Sequence, residues 1–384
     1  MSQGKKKLVF LTGTRADFGK IKPLIAALVK SKAFEVHIFV TGMHVSARYG
    51  YTVDEIIKSR LPNIYQFDNN AESDKQDLIL AHTIIGFTSY IKFVRPDMIV
   101  IHGDRVEALA GAIVGAVNNI AVSHIEGGEL SGSIDDSIRH SISKMAHVHF
   151  VSNNFARRRL IQMGEDKKSV FVIGSPDLDV MSSKDLPTLE QTKKRYDINF
   201  DDFGILMCHP VTTEVKYARD NTNILLDAIV ESNLSYVVIH PNNDPGNDLI
   251  FDLIRERCFN NSRFRIFPSL RFEHFLTLIQ NALFLIGNSS AGVRETPFYG
   301  VPSINIGSRQ NGRISLGTNA SVFDCKYDKR EILALINRFG VKPVRFPKSR
   351  HFGSGRSVSG FLKVMSRENF WKIKIQKQFS DIIF

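Results

Sequence analysis

KLVFLTGTRADFGKIKPLIAALVKSKAFEVHIFVTG occupies residues 7–42 and holds two apolar runs separated by a stretch with a helical pattern. The runs KLVFLTG and FEVHIFVTG both end in a glycine, and the residues between them predict a helix from Asp17 to Lys30. Continuous apolar, β-branched runs are typical of parallel strands that are buried on both faces. A strand, a helix and a second strand in this order form a βαβ unit, so we expect a parallel α/β domain.

The same alternation continues along the chain and restarts once. Four more runs follow in the first half: DMIVIHGD, IAVSHIEGG, HVHFVSN and VFVIGSP. Further helices are predicted over Arg105 to Val117, Asp136 to Ala146 and Phe155 to Met163. After a polar stretch the pattern begins again with GILMCHP, SYVVIHPN, FRIFP, FLIGNS and SINIG.

This restart predicts two doubly wound, Rossmann-like α/β domains with a central cleft as the ligand site. We assign residues 1–182 to the first domain and residues 200–384 to the second. The tail from about Gly353 contains two helical stretches and the only tryptophan, Trp371, and is assigned to the second domain. A chain of 384 residues is long enough for two cores of ordinary size.

Composition narrows the class of protein. With 43% hydrophobic and 23% charged residues the chain is expected to pack as a globule rather than remain disordered. No run reaches the roughly 20 apolar residues of a membrane span, and the first run leads into a glycine turn, so we interpret it as a strand and not as a signal peptide. Cys208, Cys258 and Cys325 are odd in number and widely spaced, which argues against disulfides or a four-cysteine zinc site and favours a cytoplasmic protein with buried thiols.

The net charge of +11 favours an anionic partner. The basic residues are scattered, however, and form no stripe interleaved with aromatic residues, so we predict neither nucleic acid nor a membrane as the partner. A small phosphorylated molecule fits this charge better.

The anion would bind where strands of an open sheet end. GNSSAGVRE, residues 287–295, places Ser289 and Ser290 at a predicted helix start, where free N–H groups favour phosphate. Serine and asparagine are also the preferred N-cap residues, so capping alone is an alternative. Further strand-end cations favour phosphate: Arg15, Lys20, Arg309 and Arg313. The absence of a Walker A or GxGxxG motif argues against a nucleoside triphosphate or a nicotinamide cofactor.

An acidic loop, SHIEGGELSGSIDDSIRHSIS at residues 123–143, stands out in this basic chain. Asp104, Glu126 and Asp135 each follow a strand or begin a helix, and clustered carboxylates raise one another's pKa, which indicates proton transfer. As alternatives, Asp135 or Asp136 caps a helix and Glu129 is solvated. His209 ends the first strand of the second domain and is expected to face the same cleft. We predict no metal, since the chain has no HExxH motif.

Seven motifs together resemble the hydrolysing UDP-N-acetylglucosamine 2-epimerases of bacterial sialic-acid synthesis. They are HGDR (102–105), HIEGGELSG (124–132), DDSIRHSISK (135–144), IGSPDLD (173–179), HPVTTE (209–214), GNSSAGVRE (287–295) and GSRQNGR (307–313). The likeness runs in order from TGTRADFGK at residue 12 to about residue 313, and the tail after about Asn319 matches poorly.

The resemblance implies a fold like that of the GT-B glycosyltransferases and a two-step reaction without a cofactor. UDP is eliminated with the C2 proton to leave 2-acetamidoglucal, and water then adds to release N-acetylmannosamine. The implied acid/base carboxylates are Asp104, Glu126 and Asp135, and His209 would assist the leaving phosphate. The implied UDP-binding residues are Arg15, Ser289, Ser290, Glu295 and Arg309, with Phe275 against uracil, and Arg105, Gly128 and Asp136 would line the sugar. Family members are commonly dimers or tetramers, so a homo-oligomer is expected.

Several alternatives stay open. Non-hydrolysing relatives usually read GDTTT, HVEAGLR and PEEANR where this chain has GDRVEA, HIEGGELSG and DDSIRH, which favours hydrolysis. Enzymes that act on nucleotide-linked N,N'-diacetylbacillosamine share nearly the same motifs. A GT-B glycosyltransferase and a non-catalytic nucleotide-sugar sensor are alternative functions that belong to other classes of protein. The C2 base is not determined, and we prefer Glu126 because it follows a rigid strand directly.

Overall fold

The computed structural model describes residues 4–69, 75–242, 244, 246–313 and 320–381. The chain forms two compact units. Unit 1 comprises Met1–Glu129, Asp135–Ser183 and Phe352–Phe384, and unit 2 comprises Leu130–Ile134 and Lys184–His351. The C-terminal tail therefore belongs to unit 1, whereas the sequence assigned it to the second domain.

Each unit is built on one parallel sheet, with seven strands in the described part of unit 1 and six in that of unit 2. The strands are β1 (Lys6–Thr12), β2 (Phe34–Val40), β3 (Ile64–Gln66), β4 (Met98–His102), β5 (Ala121–Ile125), β6 (Val148–Val151), β7 (Val170–Val172), β8 (Gly204–Met207), β9 (Tyr236–Ile239), β10 (Phe264–Phe267), β11 (Leu285–Gly287), β12 (Ser303–Ile306) and β13 (Val322–Cys325).

Helices connect these strands. The α-helices are α1 (Arg15–Ser31), α2 (Val53–Lys58), α3 (Gln76–Val94), α4 (Val106–Val117), α5 (Ile134–Met145), α6 (Asn154–Gln162), α7 (Asp177–Met181), α8 (Leu189–Tyr196), α9 (Ala218–Glu231), α10 (Asn247–Cys258), α11 (Phe272–Asn281), α12 (Glu295–Tyr299), α13 (Lys329–Gly340) and α14 (Ser357–Met365). The 3-10 helices are Gly42–Val45, Ala47–Tyr49, Thr212–Tyr217, Ser290–Gly292 and Glu368–Trp371.

The strand order confirms the predicted doubly wound fold in both units. The first sheet runs β3-β2-β1-β4-β5-β6-β7 and the second runs β10-β9-β8-β11-β12-β13, with parallel pairing throughout. In each sheet the chain moves outward on one side of its first strand and then returns to the other side. The switch points, where such sheets bind ligands, therefore lie between β1 and β4 and between β8 and β11.

Alternate residues of β1 show why its run is continuously apolar. Leu8 and Phe10 pack into one cluster with helix α1, whereas Val9 and Leu11 pack into another with helices α3 and α4. Both faces of the strand are covered, so period-two alternation of polar and apolar residues is absent. The second unit has its own core between its sheet and its helices.

The four predicted helices are all present, with ends that differ by one or two residues. Helix α1 begins earlier than predicted because Thr14 and Asp17 form a capping box, in which the Asp17 N–H donates to Thr14 Oγ1 at 3.2 Å. Such reciprocal capping satisfies two backbone donors of the first turn. The predicted thiols are also confirmed, since Cys208, Cys258 and Cys325 are buried and free.

Helix α3 was missed by the sequence analysis, as were the short strands β3 and β13. It spans 19 residues and, by length and composition alone, is long and apolar enough to cross a membrane. Phe87, Tyr90, Ile91 and Val94 of this helix instead pack in the core of unit 1. Burial against the sheet explains these four apolar residues, and a single helix of this kind is weak evidence of a membrane span.

Candidate functional site

The first candidate group in unit 1 follows β4. Asp104 comes after a turn at Gly103, whose φ of +77° favours glycine, and forms an ion pair with Arg139 of α5. Arg139 is fully buried and also donates to the carbonyl of Glu129 at 3.2 Å. Its Nη1 lies 3.8 Å from Asp136 Oδ1, so one guanidinium joins two of the predicted carboxylates.

Glu126 lies in a second group, directly after β5. Its φ of +65° is in the left-handed region, which non-glycine residues rarely adopt and which is often found at functional sites. Only 5% of the residue is exposed. Ser175 donates a hydrogen bond to Oε1, and His102 Nε2 lies 3.2 Å from Oε2. The carboxylate is therefore held on both oxygens.

Lys20 supplies the positive charge of this second group. Its Nζ lies 3.7 Å from Glu126 Oε2 and 3.3 Å from Asp177 Oδ2, and all three side chains are nearly buried. From the sequence we expected Lys20 to act with the strand-end cations on a phosphate. In the structure it lies between two carboxylates and offsets part of their negative charge.

The remaining acidic residues of the loop divide between surface and interior. Asp135 and Asp136 both lie in the first turn of α5, where carboxylates favour the helix dipole, and both are half-buried. Glu129, by contrast, is only 3% exposed and accepts a hydrogen bond from Ser152 Oγ at 2.8 Å. The alternative that Glu129 is solvated is therefore wrong.

His124 of β5, two residues before Glu126, supports the turn that precedes Asp104. Its Nε2 donates to the Gly103 carbonyl at 2.7 Å, which leaves Nδ1 to accept from Ser143 Oγ at 3.0 Å. Burial lowers the pKa of His124 to about 3, so the ring stays neutral and this pattern of one donor and one acceptor is maintained.

In unit 2, His209 and Asn288 follow the adjacent strands β8 and β11. The Asn288 side chain accepts from the His209 N–H at 2.7 Å and donates to the His209 carbonyl at 2.8 Å. His209 Nδ1 accepts from the Asn242 N–H at 3.1 Å, so Nε2 carries the proton of the neutral ring. The histidine borders a small recess that Glu214 and Tyr327 also line.

The serines after Asn288 do not begin a long helix. Ser289 caps the three-residue 3-10 helix Ser290–Gly292, and α12 begins only at Glu295. Gly292 lies so close to β12 that a Cβ would be 2.4 Å from Ser303 Oγ. Close packing against that strand sets the path of this segment. An anion here would rely on N–H groups and side chains, with little help from a helix dipole.

Arg309 and Gln310 complete the unit 2 group. Both are nearly buried, and Gln310 Nε2 donates to the Asn288 carbonyl at 2.8 Å. Arg309 Nη2 lies 3.7 Å from Asp244 Oδ2, and Arg313 donates to Gln310 Oε1 at 3.1 Å. The GSRQNGR loop is thus tied to the end of β11 by side-chain contacts.

The other predicted residues have varied surroundings. Arg15 forms an ion pair with Glu55 at 3.0 Å, and Arg105 Nε lies 3.5 Å from Glu107 Oε2. Gly128 has a φ of +75°, and a Cβ there would be 2.4 Å from the Ala156 carbonyl, so packing against α6 explains this glycine. In unit 2, Ser290 and Phe275 are half-buried and Glu295 is buried.

Sequence reasoning assigned no role to Arg139, His124, Ser175 and Asp177, which contact the candidate residues or their turns. Ser175 and Asp177 follow β7, so their strand-end position was a usable signal. Arg139 and His124 lie within a helix and a strand and gave no such signal. Within the described part of the chain, no three His, Cys, Asp or Glu side chains are arranged to hold a metal ion.

Comparisons with known proteins agree over nearly the whole chain. The family described as UDP-N-acetylglucosamine 2-epimerase matches residues 26–366. The chain is 42% identical over 380 residues to the UDP-N-acetylglucosamine 2-epimerase of Neisseria meningitidis serogroup B, covering 98% of this chain and 99% of that protein. It is 34% identical over 356 residues to the UDP-N,N'-diacetylbacillosamine 2-epimerase (hydrolyzing) of Legionella pneumophila, covering 92% and 93%.

A solved structure shows the same fold. The Methanocaldococcus jannaschii UDP-GlcNAc 2-epimerase in complex with UDP-GlcNAc and UDP superposes with a TM-score of 0.78 at 21% identity. The match covers 94% of this chain and 99% of the other.

Proposed function

Because this chain belongs to the UDP-N-acetylglucosamine 2-epimerase family, we propose that it is a hydrolysing member, which converts UDP-N-acetylglucosamine and water to N-acetylmannosamine and UDP. The observation that carries this proposal is the group around Glu126, a buried carboxylate in a left-handed conformation between an ammonium and a histidine. Such a preorganised, charged acid/base group fits removal of a weakly acidic C–H proton.

In the first step, Glu126 removes the proton at C2 of the sugar. The C–H electron pair forms the C1=C2 double bond, and the bond between C1 and the phosphate oxygen breaks. Lys20, 3.7 Å from Oε2, keeps the carboxylate in its basic form by favouring the negative charge. Ser175 holds the other oxygen and thereby fixes the direction of the base.

The leaving UDP is stabilised by unit 2. His209 Nε2 carries a proton, as set by the Asn242 N–H on Nδ1, and donates it or a hydrogen bond to the departing phosphate oxygen. Ser289, Ser290, Glu295 and Arg309, with Arg15 of unit 1, are the proposed UDP ligands, and Phe275 stacks on uracil. Positive and donor groups at this end offset the charge that develops on the pyrophosphate.

In the second step, water adds to the 2-acetamidoglucal. Its hydroxyl bonds to C1 and a proton is delivered to C2 from the opposite face, which inverts that centre. Asp104 and Asp135 are the proposed acid/base partners of this step, and Arg105, Gly128 and Asp136 line the sugar. The Asp104 side chain is 24% exposed, so water can reach it, while Arg139 favours its ionised form.

The product and its isotope content test this function. Incubated with UDP-N-acetylglucosamine in deuterated water, the protein is expected to release free N-acetylmannosamine with deuterium at C2, together with UDP, as followed by NMR. Glu126→Gln should abolish deuterium incorporation, whereas Glu129→Gln, which keeps the Ser152 hydrogen bond, should retain it. A product still linked to UDP would exclude hydrolysis, and incorporation by Glu126→Gln would move the base to another residue.

A second substrate is supported by the 34% identity to a hydrolysing diacetylbacillosamine epimerase. The chemistry at C1 and C2 is the same, and only the groups at C4 and C6 of the sugar differ. Turnover of each purified nucleotide sugar under identical conditions decides between them. A kcat/KM for the diacetylbacillosamine nucleotide that exceeds that for UDP-N-acetylglucosamine would assign the chain to that substrate.

A further inference from the structure

The last described residues of the chain lie across the end of α5. His147 Nδ1 accepts from the Val122 N–H at 3.1 Å, so its Nε2 donates to the Ile375 carbonyl at 3.0 Å. The Ser380 N–H donates to the Gly164 carbonyl at 3.0 Å. These bonds attach the end of the tail, residues 372–381, to unit 1 on both sides of Lys377.

Lys377 binds the C-terminal end of α5. Its Nζ donates to the carbonyls of Ser143 at 3.1 Å, Lys144 at 2.7 Å and Ala146 at 2.7 Å. The last carbonyls of a helix have no partner within the helix, and they carry the negative end of its dipole. The three N–H groups of this ammonium are shared among these three carbonyls and the Glu165 carboxylate, and together these contacts fix the final turn.

Glu165 holds the ammonium in place. Its Oε2 lies 2.5 Å from Lys377 Nζ and accepts from His149 Nε2 at 3.0 Å, and its Oε1 accepts from Lys144 at 2.8 Å. Burial alone would raise the pKa of Glu165, but these bonds and charges outweigh it and lower the pKa to about 2. The carboxylate is therefore ionised and pairs with Lys377 at neutral pH.

The last turn of α5, which Lys377 fixes, is connected to Asp104 through two sets of contacts. The Ser143 hydroxyl donates a hydrogen bond to His124 Nδ1. His124 Nε2 donates in turn to the carbonyl of Gly103, the residue before Asp104. Arg139, on the same helix, forms an ion pair with Asp104. Both supports of Asp104 thus depend on the position of α5.

We propose that Lys377 is a positioning residue for Asp104: it locks the last turn of α5, and Ser143, His124 and Arg139 transmit this restraint to the turn that carries the carboxylate. The inference rests on the role of Asp104 in the proposed function. If Lys377 positions Asp104, the C-terminal tail has a role in the reaction in addition to completing the core of unit 1.

Lys377→Met tests this against Lys374→Met, which changes an exposed lysine of the same tail. We expect Lys377→Met to speed amide hydrogen exchange in the last turn of α5 and at residues 103–105. It should lower kcat about ten- to a hundredfold, the loss that a displacement of about 1 Å can cause, and change KM for the nucleotide sugar much less. Unchanged Trp371 fluorescence would show that the rest of the C-terminal segment stays packed. The proposal is wrong if Lys377→Met and Lys374→Met have the same amide hydrogen exchange and the same kcat.

A double-mutant cycle tests the route through Ser143. If the restraint passes along it, Ser143→Ala and Lys377→Met together should lower kcat little more than Lys377→Met alone, whereas multiplied effects would exclude this route. If Lys377→Met does not fold, Lys377→Gln replaces it in the hydrogen-exchange and kcat measurements. Hydrogen exchange needs no turnover, so a wild-type protein inactive on nucleotide sugars would refute the proposed function and still leave the structural coupling measurable.

Discussion

Three carboxylates of unit 1 have different partners. A guanidinium pairs with Asp104, an ammonium and a hydroxyl contact Glu126, and the Ser152 hydroxyl donates to Glu129. Neighbouring charges and hydrogen bonds set the proton affinity of a carboxyl group. The three acidic side chains therefore differ in the charges and hydrogen-bond donors that lie next to them.

The Lys20 ammonium is expected to matter for stability as well as for reactivity. Lys20→Met leaves Glu126 and Asp177 buried without their shared cation, which should lower the free energy of unfolding by about 3–5 kcal/mol. Urea unfolding followed by Trp371 fluorescence measures this. Adding Asp177→Asn should recover part of the loss, because only one carboxylate then lacks its counter-charge. A change below about 0.5 kcal/mol in the single variant would show that Lys20 contributes little.

His44 predicts a loss of stability in mild acid. Burial, aided by the charge of Arg15, lowers the pKa of His44 to about 3. The unfolded chain binds this proton below about pH 6.5, and the folded protein binds it only near pH 3. Stability therefore falls as the pH drops between these values, by about 2 kcal/mol at pH 5 for this one group.

His44→Gln removes this titration while keeping polar atoms for Thr12 and Thr52. Between pH 7.5 and pH 5, urea unfolding of the wild type should lose about 2 kcal/mol more than the variant does. Other buried histidines, such as His124, titrate in both proteins and cancel in the difference. Parallel stability curves would mean that His44 is protonated in the folded protein.

At the scale of elements, α14 depends on a cap from a distant helix. Asp179 of α7 accepts hydrogen bonds from the N–H groups of Ser357 at 2.7 Å and Val358 at 2.8 Å. The first turn of α14 is therefore satisfied by a residue that precedes it by 178 positions. This contact joins the last part of the chain to the end of the β7 loop.

Asp179→Ala removes both bonds at once. We expect the free energy of unfolding to fall by about 1–2 kcal/mol, as for other lost N-caps. Asp179→Asn keeps one acceptor oxygen and should lose less. Equal stability of the three proteins in urea would show that water replaces the cap at no cost.

At the scale of the whole molecule, the tail completes the core of unit 1. Phe361, Met365 and Phe370 lie in the same cluster as Leu8 of β1 and helix α1. The chain thus leaves unit 1 at Ser183, builds unit 2 and returns at Phe352. The first unit can bury this face of its sheet only after the rest of the chain is made.

Phe361→Ala tests how much the returning segment contributes. The side chain is fully buried and packs edge to face on Phe150, with 4.7 Å between ring centroids. Its loss should lower the free energy of unfolding by about 3–5 kcal/mol. The matched control is Phe93→Ala on α3, where the residue is 85% exposed, and that change should stay within about 0.5 kcal/mol. Similar effects of both changes would mean that the tail is not part of the core.

Much of the fold could be predicted because its signals are local. The apolar runs and the glycines that follow them identify the strands, and His209 and Ser289 were chosen as candidates from their positions at strand ends. Helix α3 was missed because residues 76–94 are apolar on most sides, and the pattern there does not separate a buried helix from other apolar segments.

The pairing of site residues could not be predicted in the same way. Lys20 and Asp177 are far apart in the chain, and so are Asp104 and Arg139, which meet only when the strands take their final order. The residue types show which charged side chains are available. Their spacing along the chain does not show which of these side chains become neighbours in the folded protein.

The sequence by itself determined two parallel α/β units, most of their strands, four helices of unit 1 and the loops at the strand ends, because apolar periodicity and turn residues act over a few positions. Only the tertiary structure decided that Lys20 serves Glu126, that Arg139 holds Asp104 and that the tail returns to unit 1. Those contacts depend on strand order and on burial, which bring together residues that share no local pattern.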